Sequence, residues 1–397
     1  MPWRTADTMD ERARFVHRLK GGETMAALCR EFGISRKTGY KVRDRYLEEG
    51  LAGLIDRSRR PQRSPNRTPK DIVELIVRLR EARPTWGPKK LRWYLERHHL
   101  GVALPAESTI AVILKREGLV KGRRRRCRAS PTPGPLEQVT ESNQVWAMDF
   151  KGQFRLGNRK YCYPLTVTDQ HSRYLLCCDA LESTRWQPVQ QSLRQQFRSW
   201  GLPNTIRTDN GAPFASTGRC GMTALSVWMM RHGIRIERIQ PGKPQQNGRH
   251  ERMHRTLKAE TTRPASDNLF AQQERFDVFL EDFNEVRPHE ALGMKPPSQV
   301  YQKSKRTFNE HLPPLDYPLH DFVAEVYKSG DLYFSPMKRR VYIGQPFAGA
   351  RIGLRELEGG CWIAHFMDLE LGYIDPNSRA IRAVIVNWVP SGLILIW

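Results

Sequence analysis

Acid is what this chain is short of. Its 397 residues hold 42 Asp and Glu against 65 Lys and Arg, a formal net charge of +23. A surplus of that size points to a polyanionic partner and away from a neutral small-molecule substrate. Cysteine is scarce as well. The seven are Cys29, Cys127, Cys162, Cys177, Cys178, Cys220 and Cys361, and no two sit at the spacing of a zinc knuckle or a redox motif. Reduced, mostly buried thiols are the expectation. Long apolar runs are missing: nothing is long enough to span a bilayer, and no signal-like run opens the chain. No long basic amphipathic helix or lipidation signal ties the charge to a membrane surface. The expected setting is the cytoplasm, at the nucleoid if the polyanion is DNA, with no membrane partner.

The charge is concentrated at one end. Residues 1–140 carry 32 Lys and Arg against 16 Asp and Glu. The length predicts two to four domains. Residues 9–21 and 24–32 have helical periodicity, and Gly33-Ile34-Ser35 breaks it. Ser35 can then cap a third helix that bears Arg36, Lys37, Lys41, Arg43 and Arg45. Helix, tight turn, basic helix is the helix-turn-helix order, so residues 1–56 are expected to bind DNA, with Arg36, Lys37, Lys41 and Arg43 as contacts. Gly39 counts against that third helix by about 1 kcal/mol relative to Ala. After an Arg/Ser/Pro-rich linker, residues 68–120 repeat a trihelical pattern, with Ile72, Leu75, Ile76 and Leu79 on its first helix and Pro84 to Pro88 breaking it. A second helix-turn-helix follows from this, giving a tandem pair that reads adjacent grooves. Residues 121–143 form a basic, Pro-rich linker in which Arg123, Arg124, Arg125 and Arg126 are placed to track phosphates.

From residue 144 the periodicity becomes that of strands. Runs at 145–150, 161–167 and 174–180 precede a helix at 186–199, a strand at 205–208, a helix at 222–232 and a strand at 234–239. That order is mixed α/β, with the first strands antiparallel. A helix opens near Arg249, on which Glu251, Arg255 and Lys258 share one face and Met253 and Leu257 the opposite one. An ordinary amphipathic helix with an ion pair has the same pattern. A further helix over 268–286 carries Phe270, Phe276, Phe279, Leu280 and Phe283 as expected core. Residues 318–397 read as short strands with Gly and Pro turns, a small all-β barrel whose last strand is 389–397.

Three acids stand where strand and helix ends would converge: Asp149 in WAMDFKG, Asp209 in RTDNGAPF, and Glu251. Asp149, between Met148 and Phe150 in a strand expected to be buried, needs a partner to offset its desolvation. A trio of hard oxygen donors suits Mg²⁺ or Mn²⁺, two ions per site, in two-metal phosphoryl transfer. Three nearby candidates are set aside. Asp169 belongs to a turn, His250 points about 100° away from Glu251, and Glu260 about 180° away.

These residues carry a resemblance. The acids lie 60 and 42 positions apart, with Thr208-Asp209-Asn210-Gly211, with Asn247-Gly248 ahead of Glu251-Arg252, and with Thr256-Leu257-Lys258 closing. Residues 144–300 thereby resemble the DDE catalytic core of retroviral-type integrases and bacterial insertion-sequence transposases. Arg287-Pro288-His289 and Leu292-Gly293-Met294-Lys295-Pro296-Pro297 resemble the end of the transposase cores. The tandem helix-turn-helix resembles the transposase branch, since no zinc-binding His/Cys set is present. The resemblance implies a multidomain chain: an all-α tandem helix-turn-helix N-terminus, an α/β ribonuclease-H-like catalytic core, and a small all-β barrel. It implies Asp149, Asp209 and Glu251 as catalytic metal ligands. Arg255 and Lys258 would lie on terminal DNA phosphates, and Gln245 and Asn247 on the active-site loop. It further implies double-stranded DNA as partner (terminal inverted repeats and target) and a homodimer or higher oligomer. The implied activity is that of a transposase that exposes 3′-hydroxyls and joins them to target DNA. A structure-specific nuclease on the same core and a non-catalytic regulator derived from a transposase are the rival readings.

Overall fold

The computed structural model describes residues 8–57, 67–99, 101–120, 139–216, 218, 221–240 and 244–375. Arg123, Arg124, Arg125 and Arg126 and the expected strand at 389–397 lie outside the described residues. The chain divides into two compact units, Met1–Pro69 and Lys70–Trp397.

In the first unit, α1 (Thr8–Lys20), α2 (Met25–Glu31) and α3 (Arg36–Glu49) close over Phe15, Val16, Leu28, Cys29, Ile34, Val42 and Leu54. Ser35 caps α3 as its chemistry suggests, its hydroxyl accepting from Thr38 N–H at 3.1 Å. Gly39 is buried, and a Cβ there would stand 2.7 Å from both Cys29 Sγ and Met25 Sδ. The residue that argued against a helix is therefore what lets α3 approach α2. Its propensity cost of about 1 kcal/mol is offset by packing that no larger residue permits.

The second unit opens with α4 (Lys70–Ala82), α5 (Pro88–His98) and α6 (Glu107–Arg116). Pro88 starts α5 where a missing N–H costs nothing. Trp86, Ile76, Leu91, Leu95, Ile110 and Leu114 are buried between the three. This trihelical segment is tied to the α/β region through Arg83 on Asp282 and through Thr85, which meets both Arg287 and Glu260.

The α/β region runs β1 (Val145–Phe150), β2 (Phe154–Arg155), β3 (Tyr161–Asp169), β4 (Leu175–Leu181), α7 (Trp186–Trp200), β5 (Thr205–Thr208), α8 (Ala224–Arg231), β6 (Arg235–Arg238), α9 (Gly248–Thr261) and α10 (Leu269–Glu281). The sheet order is β2-β3-β1-β5-β6, with β4 also on β3. The first strands pair antiparallel as expected, while β5 and β6 run parallel to β1. Alternation sorts the side chains. Trp146, Met148, Leu165 and Val167 share a core with Val189, Leu193 and Phe197 of α7. Leu175 and Cys178 meet Met253 and Leu257 of α9 and Phe276 and Phe279 of α10.

Three expectations need correction. The two-residue strand β2 was not foreseen. The helix expected to reach residue 286 ends at Glu281 and passes into a π turn, Asp282–Val286. Phe270 is not core but 74% exposed. Six and nine residues before Phe276 and Phe279, it points about 120° and 180° away from them.

Beyond residue 320 come β7 (Phe322–Glu325), β8 (Asp331–Phe334), β9 (Arg339–Tyr342), β10 (Arg351–Glu356), β11 (Trp362–Phe366) and β12 (Leu369–Ile374). They form a four-stranded antiparallel sheet, β12-β11-β10-β7, and a β8-β9 hairpin. The described cysteines are free; Cys29, Cys162, Cys177 and Cys178 are buried. Among the described residues no helix is long and apolar enough to cross a membrane.

Two histidines outside the acidic region are held neutral. Burial, aided by Arg231 and Arg194, pushes His232 down to about 4, and burial, aided by Lys90 and Arg287, pushes His289 down to about 3. The unfolded chain protonates both near pH ~6.5, so the folded state binds fewer protons below that. Stability is full above pH ~6.5 and drains as pH falls toward the folded values. The melting midpoint is expected to drop between about pH 7.5 and 5, and to drop less steeply in the His232→Gln/His289→Gln double variant. Equal slopes for the two proteins would contradict this.

Candidate active site

Parallel pairing of β1 with β5 sets Val145 opposite Thr205 and Ala147 opposite Arg207. Two residues further along that register, Asp149 stands level with Asp209, the first residue after β5. Both acids are therefore at the carboxyl ends of adjacent parallel strands, where open α/β sheets place their ligands. Asp209 is fixed by its own turn. Gly211 N–H donates to its Oδ1 at 3.1 Å, and Asn210 Nδ2 donates to the Ile239 carbonyl at 2.7 Å.

Glu251 comes from the first turn of α9. Met253 and Leu257 are buried beneath that helix, while Glu251, Arg255 and Lys258 are exposed. Asp149 senses the other two acids. Asp149, its side chain 20% exposed, has its carboxyl pushed up to about 7. Burial is the main cause, then the charge of Asp209, with Glu251 adding further and the Phe150 N–H opposing. Lys151 joins them: burial first, then the nearby Lys258, pushes its ammonium down, while Asp149 opposes. Lys151 was not singled out in the sequence, although it lies two residues from Asp149 in the same motif.

The other expected residues divide. On α3, Arg36, Lys37 and Lys41 are exposed, while Arg43 lies 4.8 Å over the Tyr40 ring and pairs with Asp44 at 2.6 Å. Gln245 lies in the short 3₁₀ turn Pro244–Asn247 that leads into α9. Asn247 occupies the N-cap position of α9 but makes no side-chain capping bond, and it is 4% exposed. It is not presented to solvent as a loop contact would be. Asp169 serves its turn, accepting from Asn143 N–H, Ser172 N–H and Ser172 Oγ at 2.6–2.8 Å. Glu260 is held by Arg287.

Against known families, the Integrase core domain matches residues 139–244 and again 232–297. A Helix-turn-helix domain matches 11–62 and a Homeodomain-like domain 38–114. Residues 139–297 carry the Integrase core domain, and the chain is similar to proteins of bacterial insertion elements. It is 27% identical over 239 residues to the Insertion element IS407 uncharacterized 31.7 kDa protein of Burkholderia multivorans, which is 59% of this chain and 82% of that protein. It is 30% identical over 191 residues to the Insertion element IS476 uncharacterized 39.2 kDa protein of Xanthomonas euvesicatoria, 47% of this chain and about half (53%) of that one. Among solved structures, the HTLV-2 integrase catalytic core domain in complex with magnesium aligns with a TM-score of 0.34 at 15% identity, over 42% of this chain and 100% of its own. A chain from the structure of the simian T-cell lymphotropic virus intasome in complex with PP2A regulatory subunit B56 gamma aligns with a TM-score of 0.36 at 15% identity, over 76% of this chain and 99% of its own. The chain is an enzyme of the transposase/integrase class, and its helix-turn-helix and integrase domains make it DNA-acting.

Beneath Asp149 the integrase core holds a polar cluster that the sequence reading missed. Asp149 pairs with Thr166 across β1 and β3, and Ala147 with Thr168, so both hydroxyls lie on the face of Asp149. His250 and His254, four apart on α9, meet them. Thr166 Oγ1 contacts His250 Nε2 at 2.8 Å, His254 Nε2 at 2.7 Å and the Asp149 carbonyl at 3.1 Å, and Thr168 Oγ1 contacts His250 Nδ1 at 2.7 Å. Both rings are buried, which pushes His250 down to about 3 and, with His250 and Lys151 alongside, His254 down to about 2. The signals available were Thr-x-Thr in the strand and His-x-x-x-His in the helix.

Thr166→Val keeps the shape and removes the hydroxyl on which these contacts converge. Leaving buried imidazole N–H groups without an acceptor is expected to cost about 2 kcal/mol or more in chemical denaturation, with Thr166→Ser near wild type. A Val variant as stable as wild type would show that the cluster does not hold α9 to the sheet.

Proposed function

We propose that this chain binds the terminal inverted repeats of an insertion sequence, cleaves to expose 3′-hydroxyls, and joins them to target DNA by in-line phosphoryl transfer. The observation that carries this is the convergence of Asp149, Asp209 and Glu251 at one edge of an integrase core, close enough that two of them raise the pKa of the third. Three carboxylates near enough to influence one another's charge, in a chain of net charge +23, fit a hard divalent cation better than a protein partner. Asp149, Asp209 and Glu251 would hold two ions of Mg²⁺ or Mn²⁺. The chemistry these supply when bound is stabilisation of the attacking and leaving oxygens.

The protein's own groups do the rest. Arg255 and Lys258, exposed one and two turns after Glu251, hold the phosphates of the DNA end, and Lys151 adds a charge beside Asp149. Arg36, Lys37 and Lys41 of α3 engage the repeat, and the Arg123 to Arg126 run follows its backbone. Neither step requires a covalent protein intermediate, which agrees with the absence of a Ser or Tyr nucleophile motif. Two DNA ends must be held at once, so the working form is a homodimer or larger, acting at the bacterial nucleoid. The β-rich C-terminal region, with its four-stranded sheet and hairpin, would close as a small barrel.

A labelled terminal repeat incubated with plasmid and Mg²⁺ tests the reading. Wild type is expected to nick and join. Glu251→Gln should lose at least about 100-fold in both steps with repeat binding unchanged, and Lys258→Ala should weaken engagement of the DNA end by about tenfold. Nicking without joining would make the protein a nuclease. Equal turnover by Glu251→Gln and wild type would remove the acidic trio from the chemistry.

A further inference from the structure

Among the described residues, Asp149, His250 and His254 bring donor atoms within 4.8 Å of one another. Hydrogen-bond valence decides which histidine is free. A threonine hydroxyl has one proton to give and two lone pairs. Thr166 gives its proton to the Asp149 carbonyl at 3.1 Å. Its two remaining contacts are therefore received, from His250 Nε2–H at 2.8 Å and His254 Nε2–H at 2.7 Å. Thr168 receives Gln170 Nε2–H at 3.3 Å and gives its own proton to His250 Nδ1 at 2.7 Å. His250 is thus engaged at both nitrogens and has nothing left to offer.

His254 is different. With its proton on Nε2, its Nδ1 carries a bare lone pair, and that atom faces Asp149 Oδ2 at 3.9 Å. Two acceptors confront each other across a gap too long for a hydrogen bond. The gap is within the span of two donors each about 2.1 Å from one ion. The ring cannot swing away, being 8% exposed and anchored on Thr166.

We propose that His254, through Nδ1, is a nitrogen ligand of the divalent cation that Asp149 holds, which makes this centre a mixed oxygen–nitrogen site that favours Mn²⁺ over Mg²⁺. The inference rests on the reading of Asp149 as a cation ligand. It adds a histidine that the acidic trio does not include, and it assigns Thr166 and His250 as the positioning residues that fix its tautomer. An imidazole donor strengthens binding of transition metals relative to Mg²⁺, which prefers an all-oxygen shell.

The test is Mn²⁺ titration of the full-length protein without DNA, followed by pulsed electron paramagnetic resonance for ¹⁴N coupled to the bound ion. Wild type is expected to show a directly bound imidazole nitrogen. His254→Asn should lose that coupling and weaken Mn²⁺ about tenfold or more, with a smaller loss for Mg²⁺, while His250→Asn keeps the coupling. If His254→Asn does not fold, absence of coupling in wild type still overturns the inference, and coupling that is lost in His250→Asn does so as well. Mn²⁺ bound in an Asp149-dependent way without ¹⁴N coupling, or coupling that survives His254→Asn, overturns the inference and leaves the acidic trio standing. Mn²⁺ binding that Asp149→Asn does not diminish overturns both.

Discussion

Parallel pairing of β1 with β5 brings Asp149 level with Asp209, and burial of Asp149 makes that pairing electrostatically expensive. Burial is the larger penalty on the Asp149 carboxylate, and the like charge of Asp209 adds to it. An ordinary core would relieve the strain with a salt bridge, as it does for Arg207 and Glu237 on the neighbouring strands, 2.6 Å apart and both buried. Here no described Lys or Arg forms an ion pair with any of the three acids. Lys151 and Lys258 stand close by but repel each other. The acids and cations are kept apart and both partly open. That arrangement is unfavourable alone; under the proposed function a divalent cation between the acids and a phosphate across the cations would relieve it.

Helix α9 makes this possible by having three different sides. One is apolar, with Met253 and Leu257 packed on Phe276 and Phe279. A second is buried and polar, with His250 and His254 on the threonines of β3. The third is exposed and charged, with Glu251, Arg255 and Lys258. A helix held only by its apolar stripe can roll by tens of degrees at small cost, because dispersion contacts have little direction. Hydrogen bonds to two hydroxyls at fixed strand positions remove that freedom.

The division between what the residues disclose and what they conceal follows from range. Apart from the two-residue β2, strand and helix order from β1 to α9 was legible because alternation and 3.6-residue periodicity are local properties. The three acids stood out as candidates because their motifs are contiguous, and the register of β1 on β5 sets two of them level. Phe270 was misassigned because hydrophobicity was counted without its azimuth. The Thr166–His254 cluster was not legible because each half looks unremarkable. A Thr-x-Thr in a strand and a His-x-x-x-His in a helix gain meaning only when the strand's period of two meets the helix's near-period of four across a tertiary contact. Asn247 shows the opposite limit. The start of α9 was placed to within a residue, but no local pattern says that the side chain of Asn247 is turned inward.

The far end of α9 explains why Arg287 belongs to the same system although it touches none of the acids. Arg287 is 4% exposed, holds Glu260 in the last turn of α9, and donates to Thr85 at 3.0 Å in the loop before α5. Glu260 and Glu251 are nine residues apart on one rigid helix, so a constraint on the azimuth of one is a constraint on the other. Fixing Glu260 from the α4–α6 side and His254 from the β3 side pins α9 at two points along its length. The direction of Glu251 is then set by residues that neither carry charge into the site nor lie near it in sequence. The Arg-Pro-His segment that closes the integrase core is in this sense part of how its third acid is aimed.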